Sequence, residues 1–170
     1  MWNNATSLKV RCFGRLSWVD RVKNSEWLLR LGILVEPNHG LCKLCGSGLE
    51  TVNHLLIWWD FSWQLWFKIL RWWVLLWVVP GSFGSLLEWW KGFKFKKAKR
   101  VVWRVIPFAI FWSVWLCKNS AVFSNLQPVL EDVFDIVKWR VIFWAKQKKE
   151  LLNLNVRDLV FCDFHVADRL

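Results

Sequence analysis

The sequence predicts an all-α fold of about five helices, with a short Cys-x-x-Cys turn between the second and the third. Apolar residues recur at helical spacing along most of the 170 residues, and the alternation typical of β-strands is nearly absent. Pro and Gly mark two breaks in this pattern, at residues 36–40 and 80–85. These breaks separate successive helical stretches.

Two amphipathic helices are predicted at the start of the chain. The first covers residues 9–22, and its apolar positions are Val10, Phe13, Leu16, Val19 and Val22. Asn24 and Ser25 then offer an N-cap for a second helix over residues 26–31. Gly32 stands where a left-handed C-terminal cap is expected.

The least helical part of the chain comes next. Turn-forming residues 36–40 lead into residues 41–48, which contain Cys42 and Cys45. Thr51 can cap a third helix that continues to about Leu70. One broad face of this helix carries His54, Leu55, Trp58, Phe61, Leu65, Trp66 and Ile69.

The second half contains one short helical stretch and two long helices. Residues 86–90 follow the linker, and residues 101–117 are apolar on every side, which is typical of a buried helix. Because proline lacks an amide hydrogen, we expect a kink or a restart at Pro107. The last helix covers residues 129–152, with an apolar stripe of Leu130, Val133, Phe134, Val137, Val141 and Trp144.

Composition limits the class of protein. The chain is 55% hydrophobic, which excludes disorder, and its net charge of +11 favours anionic partners. It has 17 Trp and no Tyr, yet its longest uncharged runs are shorter than the roughly 20 apolar residues of a spanning helix. We therefore predict no transmembrane span.

The cysteine content points to a reducing environment. Five unevenly spaced Cys do not form a closed disulfide framework, so we expect an intracellular protein, either nuclear or cytoplasmic. Cys12 and Cys117 lie in apolar helices and are predicted to be core residues.

Cys42, Cys45 and His54 form the one constellation that indicates chemistry. Two thiolates in a tight turn, followed directly by Gly46, make half of a typical zinc site, and His54 can supply a third ligand. A structural Cys pair without metal and a redox pair are the alternatives. The flanks are typical of loops, which disfavours the redox pair.

These residues are part of a longer pattern. The blocks are residues 9–13, 20–23, 28–33, 41–45, 50–56 and 61–66, followed by Trp115, Lys118, Asn119 and Phe123. Together they resemble the zinc-binding domain downstream of the reverse transcriptase in plant LINE-type (non-LTR) retrotransposons. The resemblance implies a zinc-binding domain over residues 8–67, a helical extension over residues 68–150 and a tail over residues 151–170.

The sequence departs from that family at one ligand. The family pattern has a Cys five residues after the His and then a Pro, whereas this chain has Trp59 and Asp60. Trp cannot bind zinc, so three ligands remain, and water, His39 or Asp60 could take the fourth position. We predict weak or absent zinc binding that Trp59→Cys restores. Loss of the Pro also predicts that the third helix continues through Trp58 and Trp59.

A basic segment is the candidate nucleic-acid contact. Its cations are Lys91, Lys94, Lys96, Lys97, Lys99 and Arg100, and the interleaved aromatic residues are Trp89, Trp90, Phe93, Phe95 and Trp103. This combination fits phosphate contact with base stacking, while a solvated helix face is the alternative.

The functional expectation is a non-catalytic domain of retroelement origin that binds RNA or DNA or serves as a structural accessory to a reverse transcriptase. The sequence has neither the metal-binding carboxylate motif of a polymerase nor a ribonuclease H pattern, so we expect neither an enzyme nor a small-molecule substrate. The alternatives are a Trp-rich scaffold for a protein or membrane surface and a decayed retroelement fragment.

Overall fold

The computed structural model describes residues 6–35, 40–76, 80–95 and 97–148, and within these ranges it contains helices and no strand. The predicted all-α class is therefore confirmed. The helices are α1 (Leu8–Trp18), α2 (Ser25–Arg30), a π-helical turn (His54–Trp58), α3 (Asp60–Trp72), α4 (Phe83–Gly92), α5 (Lys97–Ser124) and α6 (Leu130–Lys146). The Cys-x-x-Cys turn lies between α2 and the π-helical turn, as predicted. The predicted tail, residues 151–170, lies outside the described residues.

The N-terminal helices follow their local signals. The Asn24 side chain accepts a hydrogen bond from the Trp27 amide and caps α2, and Gly32 has the expected left-handed φ of 68°. The predicted first helix ends early, at Trp18, and Asp20 just beyond it has a φ of 52°. Leu16 and Val19, predicted on the buried stripe, are exposed, and Val19 lies beyond the end of the helix.

Two cysteines differ from the prediction that both are core residues. Cys12 is exposed, so its predicted place in the core is wrong, and Cys117 is half-buried. Helical spacing alone did not reveal that Cys12 lies beside the buried face of α1 rather than on it.

The third predicted helix is interrupted. Trp59 has an extended backbone, with φ −61° and ψ 128°, and separates the π-helical turn from α3. The expectation that the helix continues through Trp58 and Trp59 is wrong. The π-helical turn shifts the register, so that Trp58 is 49% exposed and Trp59 is 8% exposed.

Side chains of α3 stabilise this interruption. The Ser62 hydroxyl donates to the Leu55 carbonyl at 2.6 Å, and the Trp66 indole N–H donates to the Leu56 carbonyl at 2.9 Å. These carbonyls belong to the end of a helix and need donors from outside it. Ser62 and Trp66 are both completely buried, so water cannot replace them.

α5 is the central helix and is continuous through Pro107. Of the two outcomes expected at Pro107, a kink or a restart, the restart is wrong. Proline removes the amide that would bind the Trp103 carbonyl, and the Trp90 indole of α4 donates to that carbonyl instead, at 3.0 Å. The Trp103 indole donates in return to the Trp90 carbonyl at 3.0 Å, and the two rings stack at 3.8 Å.

One hydrophobic cluster joins residues of α1, the π-helical turn and α3 to α6. In it, Phe13 of α1 packs against Trp112 and Trp115 of α5, with ring centroids 5.7 Å and 5.2 Å apart. The predicted stripe of α6 faces the same cluster, and its Val133, Val137 and Val141 are buried. The predicted boundary between residues 67 and 68 stays a prediction.

One helix of the described residues, Lys99–Ser124, is long and apolar enough to cross a membrane by length and composition. Its most apolar window is 67% buried among the other helices, and the core helix of a soluble protein meets the same criterion. The absence of a transmembrane span therefore stays a prediction.

Candidate metal site and basic segment

The Cys-x-x-Cys turn is closed by backbone hydrogen bonds. The Gly46 amide donates to the Cys42 carbonyl at 2.8 Å, and the Cys42 amide donates to the Gly48 carbonyl at 3.0 Å. Gly46 and Gly48 have φ values of 67° and 71°, which side chains with a Cβ rarely adopt. Two left-handed residues so close together fold the chain back and direct both cysteines toward the same side.

The start of the π-helical turn positions His54 against this loop. Its amide donates to the Thr51 hydroxyl at 2.9 Å, which confirms the predicted cap. The ligand atoms of Cys42, Cys45 and His54 all lie within 4.8 Å of one another, and Cys45 Sγ is 3.4 Å from His54 Nε2. The structure therefore brings the three predicted ligands together.

The separation of Cys45 and His54 fits zinc. Ordinary Zn–S and Zn–N bonds at tetrahedral angles place a sulfur and a nitrogen ligand about 3.6 Å apart, close to the observed separation of Cys45 and His54. No fourth Cys, His, Asp or Glu among the described residues joins the group. Asp60 is exposed at the start of α3 and lies outside it, while His39 lies outside the described residues. Zinc binding by the three residues stays a prediction.

Trp59, five residues after His54, belongs to the hydrophobic cluster. Its ring stacks on Phe61 with centroids 4.8 Å apart. This residue therefore contributes packing at the position where the resemblance leads us to expect a ligand.

The three candidate ligands have different protonation tendencies. Burial raises the pKa of the Cys42 thiol to about 11. Burial also acts to raise the pKa of Cys45, but its hydrogen bonds with Ser47, with Cys42 and with its own backbone together outweigh burial and lower this pKa. Burial lowers the pKa of His54, although the charges of Glu50 and Asp60 oppose the shift. Thiolate and neutral imidazole are the forms that bind a metal, so Cys45 and His54 are the better prepared pair.

A buried ion pair that the sequence reasoning missed links this turn to α5. Glu50 is completely buried, and its Oε1 accepts from the Ser25 amide at 3.0 Å and lies 3.2 Å from Lys118 Nζ. Lys118 is itself only 8% exposed and lies over the Trp115 ring. The available signal was Lys118 at the end of the uncharged run of residues 105–117, because a cation buried beside such a run needs a buried partner.

The cations of the basic segment differ in exposure, and their contact with nucleic acid stays a prediction. Lys91, Lys94 and Arg100 are exposed, and Lys99 is half-buried over the Phe95 ring at 5.3 Å. Lys96 and the side chain of Lys97 lie outside what the structure describes.

The aromatic residues of this segment face the protein interior. Trp90 and Trp103 are 2% and 1% exposed, so the expectation that they stack on bases is wrong. Trp89, Phe93 and Phe95 are half-buried against the same cluster. In this segment the cations therefore lie at the surface, whereas the aromatic rings pack against the hydrophobic cluster.

The comparison with known families agrees with the site. Residues 1–66 match the family model described as "zinc-binding in reverse transcriptase". This match includes the whole cluster of Cys42, Cys45 and His54. The N-terminal part of the chain is thus similar to a reverse transcriptase zinc-binding domain. Searches of curated proteins and of solved structures found no match.

Proposed function

We propose that this chain is a non-catalytic, intracellular domain of retroelement origin, of the plant LINE type, that binds RNA or DNA. The observation that carries the proposal is the convergence of two thiols and one imidazole within the region similar to reverse transcriptase zinc-binding domains. The domain would act beside a reverse transcriptase by holding nucleic acid. Zinc, where bound, would fix the turn and would not take part in a reaction.

The incomplete donor set makes zinc affinity the first test. Native mass spectrometry of the full chain with and without zinc should show weak occupancy, because three protein ligands leave one position to water. Cys45→Ser should abolish even this binding, whereas Cys12→Ser, the matched control at an exposed cysteine, should leave it unchanged. Equal occupancy in the Cys45→Ser variant would contradict the assignment of the ligands.

The net charge of +11 and the exposed cations of the basic segment support nucleic-acid binding. Retention of the full chain on single-stranded RNA or DNA should fall steeply with salt. Replacing Lys91, Lys94 and Arg100 with Gln should reduce the slope of log affinity against log salt by about 2. The control replaces Lys9, Arg15 and Arg21, three exposed cations of α1 and its end, and should change the slope less. Retention without salt dependence would contradict the proposal.

A second candidate function rests on α6. Trp139 and Phe143 lie one turn apart and are 63% and 66% exposed, which favours a Trp-rich scaffold that contacts a protein or membrane surface. Flotation with liposomes separates the two candidates, since a nucleic-acid-binding domain should stay in the unbound fraction. If the chain binds neither zinc nor nucleic acid nor liposomes, the result would instead fit a decayed retroelement fragment.

A further inference from the structure

The exposed side of α3 carries two stacked aromatic rings. Trp63 and Phe67 lie one turn apart, and their rings are nearly parallel, with an interplanar angle of 3° and centroids 5.8 Å apart. They are 39% and 43% exposed. The opposite side of α3 provides its core contacts through Leu65, Trp66 and Ile69, so the fold does not need the outer pair for its core.

A groove adjoins this pair between α3 and the start of α6. The cavity has a volume of about 440 Å³, and its walls include Phe67, Arg71, Trp72 and Phe134. Gln64 also lines it, and its amide can both donate and accept hydrogen bonds. The groove therefore combines aromatic faces with polar groups at the edge of the ring pair.

The two cations beside the rings differ in whether a carboxylate compensates their charge. Arg71 is exposed at the end of α3 and has no ion pair among the described residues. Lys68 pairs with Glu131, with Nζ–O distances of 2.6 Å and 2.7 Å, and its charge is largely compensated. Arg71 is thus the cation available to a phosphate next to the rings.

Single-stranded nucleic acid has the chemistry that matches these features. Its unpaired bases expose flat faces that stack on aromatic side chains, and its phosphates lie close enough to those bases to reach a neighbouring Arg. The bases of a duplex are stacked on each other and cannot use an aromatic pair in this way.

We propose that Trp63, Phe67 and Arg71 form a base-stacking subsite for single-stranded RNA or DNA, with the groove receiving an adjacent nucleotide. This inference rests on the proposed function and places its aromatic contact on α3, away from the basic segment. Two surfaces then have separate roles: α3 holds bases, and the exposed cations of residues 91–100 contact phosphates.

The test compares two exposed aromatic pairs in the full chain. Trp63→Gln/Phe67→Gln removes the proposed subsite, and Trp139→Gln/Phe143→Gln removes a Trp and a Phe at the same spacing on α6. Fluorescence anisotropy would measure affinity for labelled 12-nucleotide single strands and for a duplex of the same sequence. Far-ultraviolet circular dichroism and thermal unfolding would show that both variants keep the fold.

The α3 variant should lose about 5- to 100-fold in single-strand affinity, as expected for one or two lost stacking contacts. Its duplex affinity and the single-strand affinity of the α6 variant should stay within about twofold of the unaltered chain, since neither involves an α3 ring contact. Arg71→Gln should lower the salt slope on single strands by about 0.7.

Three outcomes would overturn the inference: unchanged single-strand affinity in the α3 variant, equal losses in both variants, or an equal loss on duplex. If the unaltered chain binds single strands and the α3 variant does so equally well, only the subsite is wrong. If the unaltered chain binds no single strand, the proposed function itself fails.

Discussion

The helix around Trp59 and the helix around Pro107 both differ from what the local sequence predicts, and they do so in opposite directions. At Trp59 and Asp60 the sequence has no proline, yet the helix is interrupted there. At Pro107 a proline is present, yet α5 continues through it. The presence of proline therefore does not decide where these helices end.

Side-chain donors to the carbonyls that lack a helical amide partner explain both cases. At the first break, Ser62 and Trp66 bind the Leu55 and Leu56 carbonyls from the following helix. At Pro107, the Trp90 indole binds the one carbonyl that loses its amide partner. A helix can end or continue at either place because buried side chains supply the missing hydrogen bonds. This role also accounts physically for part of the high Trp content.

The two regions differ in what they depend on. Trp90 and Trp103 satisfy each other through two reciprocal hydrogen bonds. The turn region instead has an incomplete ligand set and depends on Lys118, a distant residue of α5, to balance the charge of Glu50. We therefore expect the turn region to respond to distant substitutions and to zinc, and the tryptophan pair to respond to neither.

The largest effect is expected from Lys118→Met. It leaves the Glu50 carboxylate buried without a cation, which should lower the free energy of unfolding by about 3–5 kcal/mol. Urea unfolding of the metal-free chain measures this loss of stability. Lys68→Met is the matched control, because it breaks an exposed pair with Glu131 and should cost about 1 kcal/mol or less. Similar losses in the two variants would show that the turn does not depend on α5.

Trp59→Cys should have two opposing effects. Removing a ring that is only 8% exposed should destabilise the metal-free chain by about 3 kcal/mol, while the new thiol completes the zinc site. Added zinc should then raise the unfolding temperature, and a chelator should reverse the rise. Trp59→Ser creates a similar cavity without a thiol and should gain nothing from zinc. Tight, stoichiometric zinc binding by the unaltered chain would contradict the prediction.

Local signals explain what the sequence could predict. The Asn24 and Thr51 caps, the left-handed Gly46 and the Cys-His cluster depend on residues within a dozen positions of each other. Such short-range patterns are visible in one sequence. They were sufficient for the helical class and for the candidate metal ligands.

Long-range partners explain what it could not predict. The continuity of α5 depends on Trp90 of another helix, and the burial of Glu50 depends on Lys118. Helical periodicity assigned Trp58 to the buried face because it assumes a regular register, and the π-helical turn changes that register. The base-stacking role predicted for Trp90 and Trp103 was wrong because of a long-range contact. The spacing of the basic segment does not show that these two rings stack on each other.

Trp90→Phe tests whether the indole hydrogen bond allows α5 to continue through Pro107. The variant keeps an aromatic ring but leaves the Trp103 carbonyl without its donor, and should cost about 2 kcal/mol. In the Pro107→Ala background the cost should be about 1 kcal/mol smaller, because the new amide N–H can bind the same carbonyl. Urea unfolding of the four proteins gives the coupling energy. Equal costs in both backgrounds would show that the Trp103 carbonyl does not need the indole.

Ser62→Ala should give the smallest effect, about 1 kcal/mol, by removing the donor to the Leu55 carbonyl at the other interruption. Ser17→Ala is the matched control, since Ser17 is also buried and donates to the Phe13 carbonyl at 2.9 Å. The Phe13 carbonyl lies inside α1 and also accepts the regular helical hydrogen bond from a backbone amide. Losing the Ser17 hydroxyl should therefore lower the free energy of unfolding by less. Chemical unfolding that gives Ser17→Ala the larger cost would mean that the break at Trp59 is stabilised by packing rather than by hydrogen bonds to its carbonyls.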